Sequence, residues 1–164
     1  MDINIGLFKH NVFRTLQQLV LHLLLLLVLP SYQLSILVQA NTMVDQKFEG
    51  KHIKGDQSDP IYLVLDQKLR HVASPAVWEA LFGKGEWKFE TVPQALVDNF
   101  AKGPALDQTT PLIKGDGDPV YLIDEKKKRW ISSPDVFKRY GFSWDTIRSV
   151  GSVAELLPDG PKIE

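Results

Sequence analysis

Few side chains in this 164-residue chain have the types and spacing that support chemistry. Beyond residue 40 the histidines are His52 and His71. Neither has a Ser or Asp partner in a recognisable motif, or a second ligand at metal-binding spacing. Cysteine is absent, which removes disulfides, thiolate zinc sites and a Cys nucleophile. No HExxH, no GxSxG and no Gly-rich phosphate loop after a strand is present. Asp116-Gly117-Asp118 offers the oxygen atoms that Ca²⁺ prefers, but no further acid follows at EF-hand spacing. This stretch and its counterpart Lys54–Asp59 read as bends, with Pro60 and Pro119 opening the strands that follow. The pairing of carboxylates in space is not written in sequence, so a small hydrolase using Asp116 or Asp118 stands as the weakest of three functional classes. No metal or cofactor is expected.

The residues that could bind are easier to name. Trp130 lies on a strand with Lys128 two residues before it, on the same face. A flat indole with neighbouring cations suits stacking on a sugar ring or gripping a protein partner, unless it is buried against the rest of the chain. Lys127, Lys128 and Arg129 supply the charge. Within Lys126–Arg129 the simpler role is a solvated strand edge that discourages aggregation. Arg129 falls on the face opposite Trp130, where its stem can cover apolar surface and its head can pair with an Asp. Arg70 and His71 occupy the corresponding places earlier in the chain. The candidate site is therefore Trp130, Arg129, Lys128, Lys127, His71 and Arg70.

These residues sit in a repeat. Ile53-Lys54-Gly55-Asp56 returns as Ile113-Lys114-Gly115-Asp116, and Asp59-Pro60-Ile61-Tyr62-Leu63 as Asp118-Pro119-Val120-Tyr121-Leu122. Arg70 matches Arg129, Ser74-Pro75 matches Ser133-Pro134, and Val77-Trp78 matches Val136-Phe137. Trp87 matches Trp144, and Gly103-Pro104 matches Gly160-Pro161. The offset is about 58 residues, which divides the chain into unit 1 at 48–108 and unit 2 at 109–164.

Each unit reads as a β-hairpin, a helix, a connector and a short second helix. Pro119–Ile123 and Lys128–Ser132 are the strands, and the turn between them lacks Asn-Gly, which predicts a loop longer than two residues. Ser133 caps a helix with Pro134 in its first turn, and Gly141 ends it. Ser152-x-x-Glu155 has the capping-box pattern for the second helix. The matched aromatics Trp87 and Trp144, Trp78 and Phe137, and Tyr62 and Tyr121 are assigned to the core. A 55-residue unit is marginal alone, so the two should share a core or join their hairpins into one sheet. The fold class is α+β, as two tandem hairpin–helix repeats.

A hydrophobic leader precedes the repeats. Leu19–Leu29 is apolar except for His22, about the length of a signal-peptide core and short of the ~20 residues that span a bilayer. Val38-Gln39-Ala40 has the small-x-small form of a cleavage site, so 1–40 is a signal peptide or an uncleaved signal anchor, with 41–47 as linker. Translation from Met43 would instead make the protein cytosolic. Lys+Arg of 19 against Asp+Glu of 20 gives a net charge of -1, which argues against nucleic acid as a partner.

The pattern VYLID–EKKKRWISSPDVFKRYGFSW at 120–144, with its divergent copy IYLVLDQKLRHVASPAVWEALFGKGEW, resembles a short tandem repeat of extracellular and cell-surface proteins, chiefly bacterial. The resemblance implies a secreted or surface-associated module without enzymatic activity, in contact with glycan or an extracellular partner. A matrix or wall component that assembles through its repeats is the alternative.

Overall fold

A computed structural model describes residues 46–164. The leader, the cleavage site and residues 41–45 of the linker lie outside the described residues.

Two similar four-stranded mixed sheets form the frame. The first has strands β1 (His52–Gly55), β2 (Ile61–Leu65), β3 (Lys68–His71) and β4 (Glu90–Val92), in the order β3-β2-β1-β4. The second has β5 (Leu112–Lys114), β6 (Val120–Asp124), β7 (Lys127–Trp130) and β8 (Arg148–Ser149), in the order β7-β6-β5-β8. The register repeats as well: Ile53 faces Tyr62, and Ile113 faces Tyr121. In each sheet the last strand pairs in parallel with the first, β4 with β1 and β8 with β5. These outer strands were not expected, since three residues and two residues carry too little alternation to register as strands.

Helices α1 (Pro75–Phe82) and α3 (Pro134–Arg139) follow the hairpins as the Ser-Pro pairs predict. Ser74 Oγ accepts from the Val77 N–H at 3.3 Å, and Ser133 Oγ from the Val136 N–H at 3.2 Å. Removing either cap by Ser→Ala should cost about 1 kcal/mol in chemical denaturation. At the far end of α3, Gly141 takes φ +69°. Its N–H bonds the Lys138 carbonyl while the Phe142 N–H bonds Phe137, a Schellman closure.

Two local expectations are corrected. The hairpin turns contain two residues, not more: Leu65 pairs with Lys68, and Asp124 with Lys127. Asp66, Gln67, Glu125 and Lys126 all adopt positive φ, the mirror-image turn that follows strand twist, without any glycine. In the first hairpin the strain is offset by Glu49, whose two carboxylate oxygens accept from the Asp66 and Gln67 N–H groups at 2.9 and 2.8 Å. Ser152–Glu155 does not form a capping box. Gly151–Leu156 is a 3₁₀ turn with Val150 at its start, and Glu155 turns to Lys128 instead. The corresponding segment of unit 1 is an α-helix, α2 (Gln94–Asn99).

The units share one core and keep separate sheets. Leu63, Leu65, Trp78 and Leu81 of the first pack in one cluster with Leu122, Phe137, Tyr140 and Phe142 of the second. Phe82 stacks on Phe142 at 5.8 Å, and the Ser143 N–H bonds the Leu81 carbonyl at 2.9 Å. Each sheet's hairpin edge is also closed. Residues 102–106 bridge β3 in parallel at Leu69 and Val72, and residues 159–163 bridge β7 at Lys128 and Ile131. The edge at Lys126–Arg129 is therefore covered by the chain's own C-terminal strap. Lys126 and Lys127 stay in solvent, whereas Lys128 and Arg129 are buried.

Candidate functional site

The matched arginines meet where the two hairpins face each other. Arg70 forks onto Asp124, Nη1 to Oδ2 at 3.0 Å and Nη2 to Oδ1 at 2.5 Å. Arg129 forks onto Asp66 at 2.6 and 2.9 Å and also reaches Asp124 Oδ2 at 3.1 Å. Each Nε donates to a proline carbonyl on the strap, Arg70 to Pro104 and Arg129 to Pro161. Burial pushes the Asp124 carboxyl upward, but the hydrogen bonds and charges of Arg70 and Arg129 outweigh it and hold it below the usual carboxylate range.

The repeated Gly-Pro pair follows from this geometry. A Cβ on Gly103 would stand 2.6 Å from Arg70 Cδ, and one on Gly160 2.9 Å from Arg129 Cγ. Only glycine lets the strap pass so close to the guanidinium stem. Gly103→Ala should destabilise the fold by about 1–3 kcal/mol, the range for overpacking a filled site, read by urea unfolding.

Lys128 is equally committed. Its Nζ lies 3.4 Å from Glu155, 3.6 Å from Asp159 and 5.5 Å from the centre of the Tyr121 ring. Of the six residues singled out from sequence, Arg70, Arg129 and Lys128 thus hold the protein together, and Lys127 is exposed at the hairpin turn. Trp130 and His71 lie elsewhere, and each lines an open cleft.

The two clefts correspond residue for residue. One, of about 310 Å³, lies between the β2–β3 hairpin and the start of α1. It is lined by Asp59, Pro60 and Ile61, by His71 and Val72, by Ser74 and Pro75, and by Trp78 and Trp87. The other, of about 300 Å³, has Asp118, Pro119 and Val120, then Trp130 and Ile131, then Ser132, Ser133 and Pro134, then Phe137 and Trp144, with Ser132 where the first cleft has Ala73. Trp130 takes the place of His71, and Phe137 that of Trp78.

The aromatic arrangement also repeats. Trp87 stacks on buried Trp78 at 5.0 Å and 21°, and Trp144 stacks on buried Phe137 at 3.9 Å and 24°. Trp78 and Phe137 are core, as expected. Trp87 and Trp144 are not: they are 37% and 55% exposed, because only one face of each indole is covered by the ring beneath it. Tyr62 and Tyr121 are half-buried rather than core. Trp130 is 43% exposed and is not buried against the other unit.

The acidic loops make short bends, with Lys54 pairing with Asp59 at 3.3 Å and Lys114 with Asp118 at 3.7 Å across open solvent. Among the described residues, no group of three His, Asp or Glu side chains is placed to hold a metal ion. A separate cavity of about 160 Å³ holds His52 beside Trp78, Phe82, Lys84, Glu86, Lys88 and Gly141. His52 packs 4.8 Å from the Trp78 ring and 4.3 Å from Phe82, and its buried Nε2 has no hydrogen-bond partner. Burial lowers its pKa to about 4.

The chain matches no family model, curated protein or solved structure.

Proposed function

We propose that this chain is a non-catalytic binding module that acts outside the cell, taking a glycan or an extracellular partner in its clefts. One observation carries the reading. The same cleft occurs twice, with acid, proline, hairpin ring, helix cap and exposed indole in the same order. Core packing has no need of half-exposed tryptophans at matched positions, whereas recognition surfaces use them as rigid anchors. A cleft of about 300 Å³ is at the lower end of small-ligand sites.

Binding is by stacking and exclusion of water. Trp130 and Trp144 wall the second cleft, and Trp87 with His71 the first. Arg70 and Arg129 keep the two units in register, Lys128 ties the C-terminal strap to its own hairpin, and Lys127 adds a free positive charge beside the hairpin tip. The hydrophobic leader and the likeness to surface-protein repeats support the location. Assembly into a matrix through strand edges is disfavoured by the straps that cover β3 and β7.

The test is a glycan and extracellular-protein array probed with the wild type and with Trp130→Ala, Trp144→Ala and Trp87→Ala. Each variant should weaken a true ligand at least about tenfold in its own cleft, as loss of an aromatic anchor does, and Trp87→Ala combined with Trp144→Ala should do so for the whole chain. A ligand bound equally well by all three and by the double variant would rule the clefts out.

A further inference from the structure

Each cleft sets a single carboxylate beside aromatic rings. In the second, Asp118 is the one charged side chain among the lining residues, and Trp130, Phe137 and Trp144 surround the apolar remainder. Pro119 and Pro134 have no N–H, and the hydroxyls present are those of Ser132 and of Ser133, which accepts from the Val136 N–H and keeps its own proton to donate. In the first, Asp59 holds the same position, again as the one carboxylate, and Trp87, Trp78 and His71 supply the rings.

A cation with apolar bulk would find both parts it needs: ring faces, which attract positive charge through their quadrupole, and one carboxylate. The lysines now paired to these acids lie at 3.3 and 3.7 Å with the carboxylates fully open to water, and such surface pairs are weak and readily exchanged.

From this we infer that each cleft recognises an organic ammonium group, of the quaternary type that carries its charge inside a methyl shell. The inference rests on the reading of the clefts as binding sites and names what they bind. The trimethylammonium sits against the exposed indole, Trp144 or Trp87, with its charge toward Asp118 or Asp59. Because the two clefts match, one chain takes two groups, the second site being the more aromatic since Trp130 replaces His71.

The experiment is a titration of the protein with choline and with 3,3-dimethyl-1-butanol, its uncharged isostere, followed at the indole N–H signals by NMR. Choline should bind at least tenfold more tightly than the isostere and shift the Trp130, Trp144 and Trp87 signals. Asp118→Asn should remove that preference in the second cleft while leaving the Trp87 shifts in place. Phosphatidylcholine vesicles and a trimethyl-lysine peptide form two further arms. Binding to the vesicles assigns a lipid headgroup as the source, binding to the peptide assigns a modified protein, and binding to neither with free choline bound assigns a small molecule. Equal shifts from choline and the isostere would overturn the cation and leave an apolar binding cleft. A neutral oligosaccharide shifting these signals where choline does not would overturn it in favour of glycan. Silence toward every probe would overturn the inference, while the cleft reading falls only if the tryptophan variants bind array ligands as well as the wild type does.

Discussion

Asp124→Asn should lower the unfolding free energy by about 3–5 kcal/mol, the cost of breaking a buried ion pair by removing one partner. Asp124 is 4% exposed and accepts from two guanidinium groups that are themselves buried. Asparagine has a similar shape but no charge, so Arg70 loses its counterion, and Arg129 is left to Asp66 alone. The penalty comes from the stranded cations more than from the lost bonds. A double variant, Arg70→Met with Asp124→Leu, removes charge and counter-charge together. It should recover most of the loss, because buried pairs replaced by apolar side chains of similar volume are often neutral. Leu65 already occupies the position in the first hairpin that Asp124 holds in the second, so the backbone there accepts leucine. Urea unfolding of the three proteins measures all of this. If Asp124→Asn costs less than about 1 kcal/mol, in the range of an exposed pair, the network is not what joins the hairpins.

The second large effect is one of pH. His52 titrates at about 4 in the folded protein against 6.5 unfolded, because burial between Trp78 and Phe82 disfavours the charged ring. Between these values the unfolded chain binds a proton that the folded one does not, so stability rises with pH across that window. Stability is complete above pH 6.5 and falls as the solution is acidified toward pH 4, by about 3 kcal/mol in all. Asp124 acts lower on the scale. Its folded pKa is depressed, so its contribution is present above the unfolded carboxyl value and is lost as pH drops below it. His52→Phe keeps a ring in the site and removes the titration. Its stability should be nearly flat from pH 6.5 to 4.5, while the wild type declines. Parallel curves for the two proteins would show that His52 is not the group responsible.

The repeat was legible because identities such as Ile-Lys-Gly-Asp, Asp-Pro-x-Tyr-Leu and Ser-Pro recur in one order, and each marks a bend, a strand or a cap with a physical reason. The α+β class followed from it, and the shared core was one of the two arrangements that the small size of each unit left open. The arginines were readable as far as their strand face allowed: Arg129 does lie opposite Trp130 and does pair with aspartates. Which aspartates could not be read, because Asp66 and Asp124 are not matched positions and meet the arginines only across the hairpins. A buried acid where the other unit has leucine was the available signal. The clefts were half visible. Trp130 stood out as unmatched, but Trp87 and Trp144 were assigned to the core because matched aromatics in a small unit usually fill it. Stacking on Trp78 and Phe137 with the other face open is a matter of three-dimensional placement. The β4 and β8 strands were missed because their pairing is set by β1 and β5 and not by any pattern of their own.

The two matched clefts are proposed as the place where this protein binds. An NMR screen of a small-fragment library, read at backbone amides and indole N–H groups, tests it most directly. Hits should cluster at Trp130, Ser133 and Trp144 and at the corresponding His71, Ser74 and Trp87, with the same fragments appearing at both. Hits gathered instead at the Lys126–Lys127 turn, or spread without preference over the surface, would contradict it.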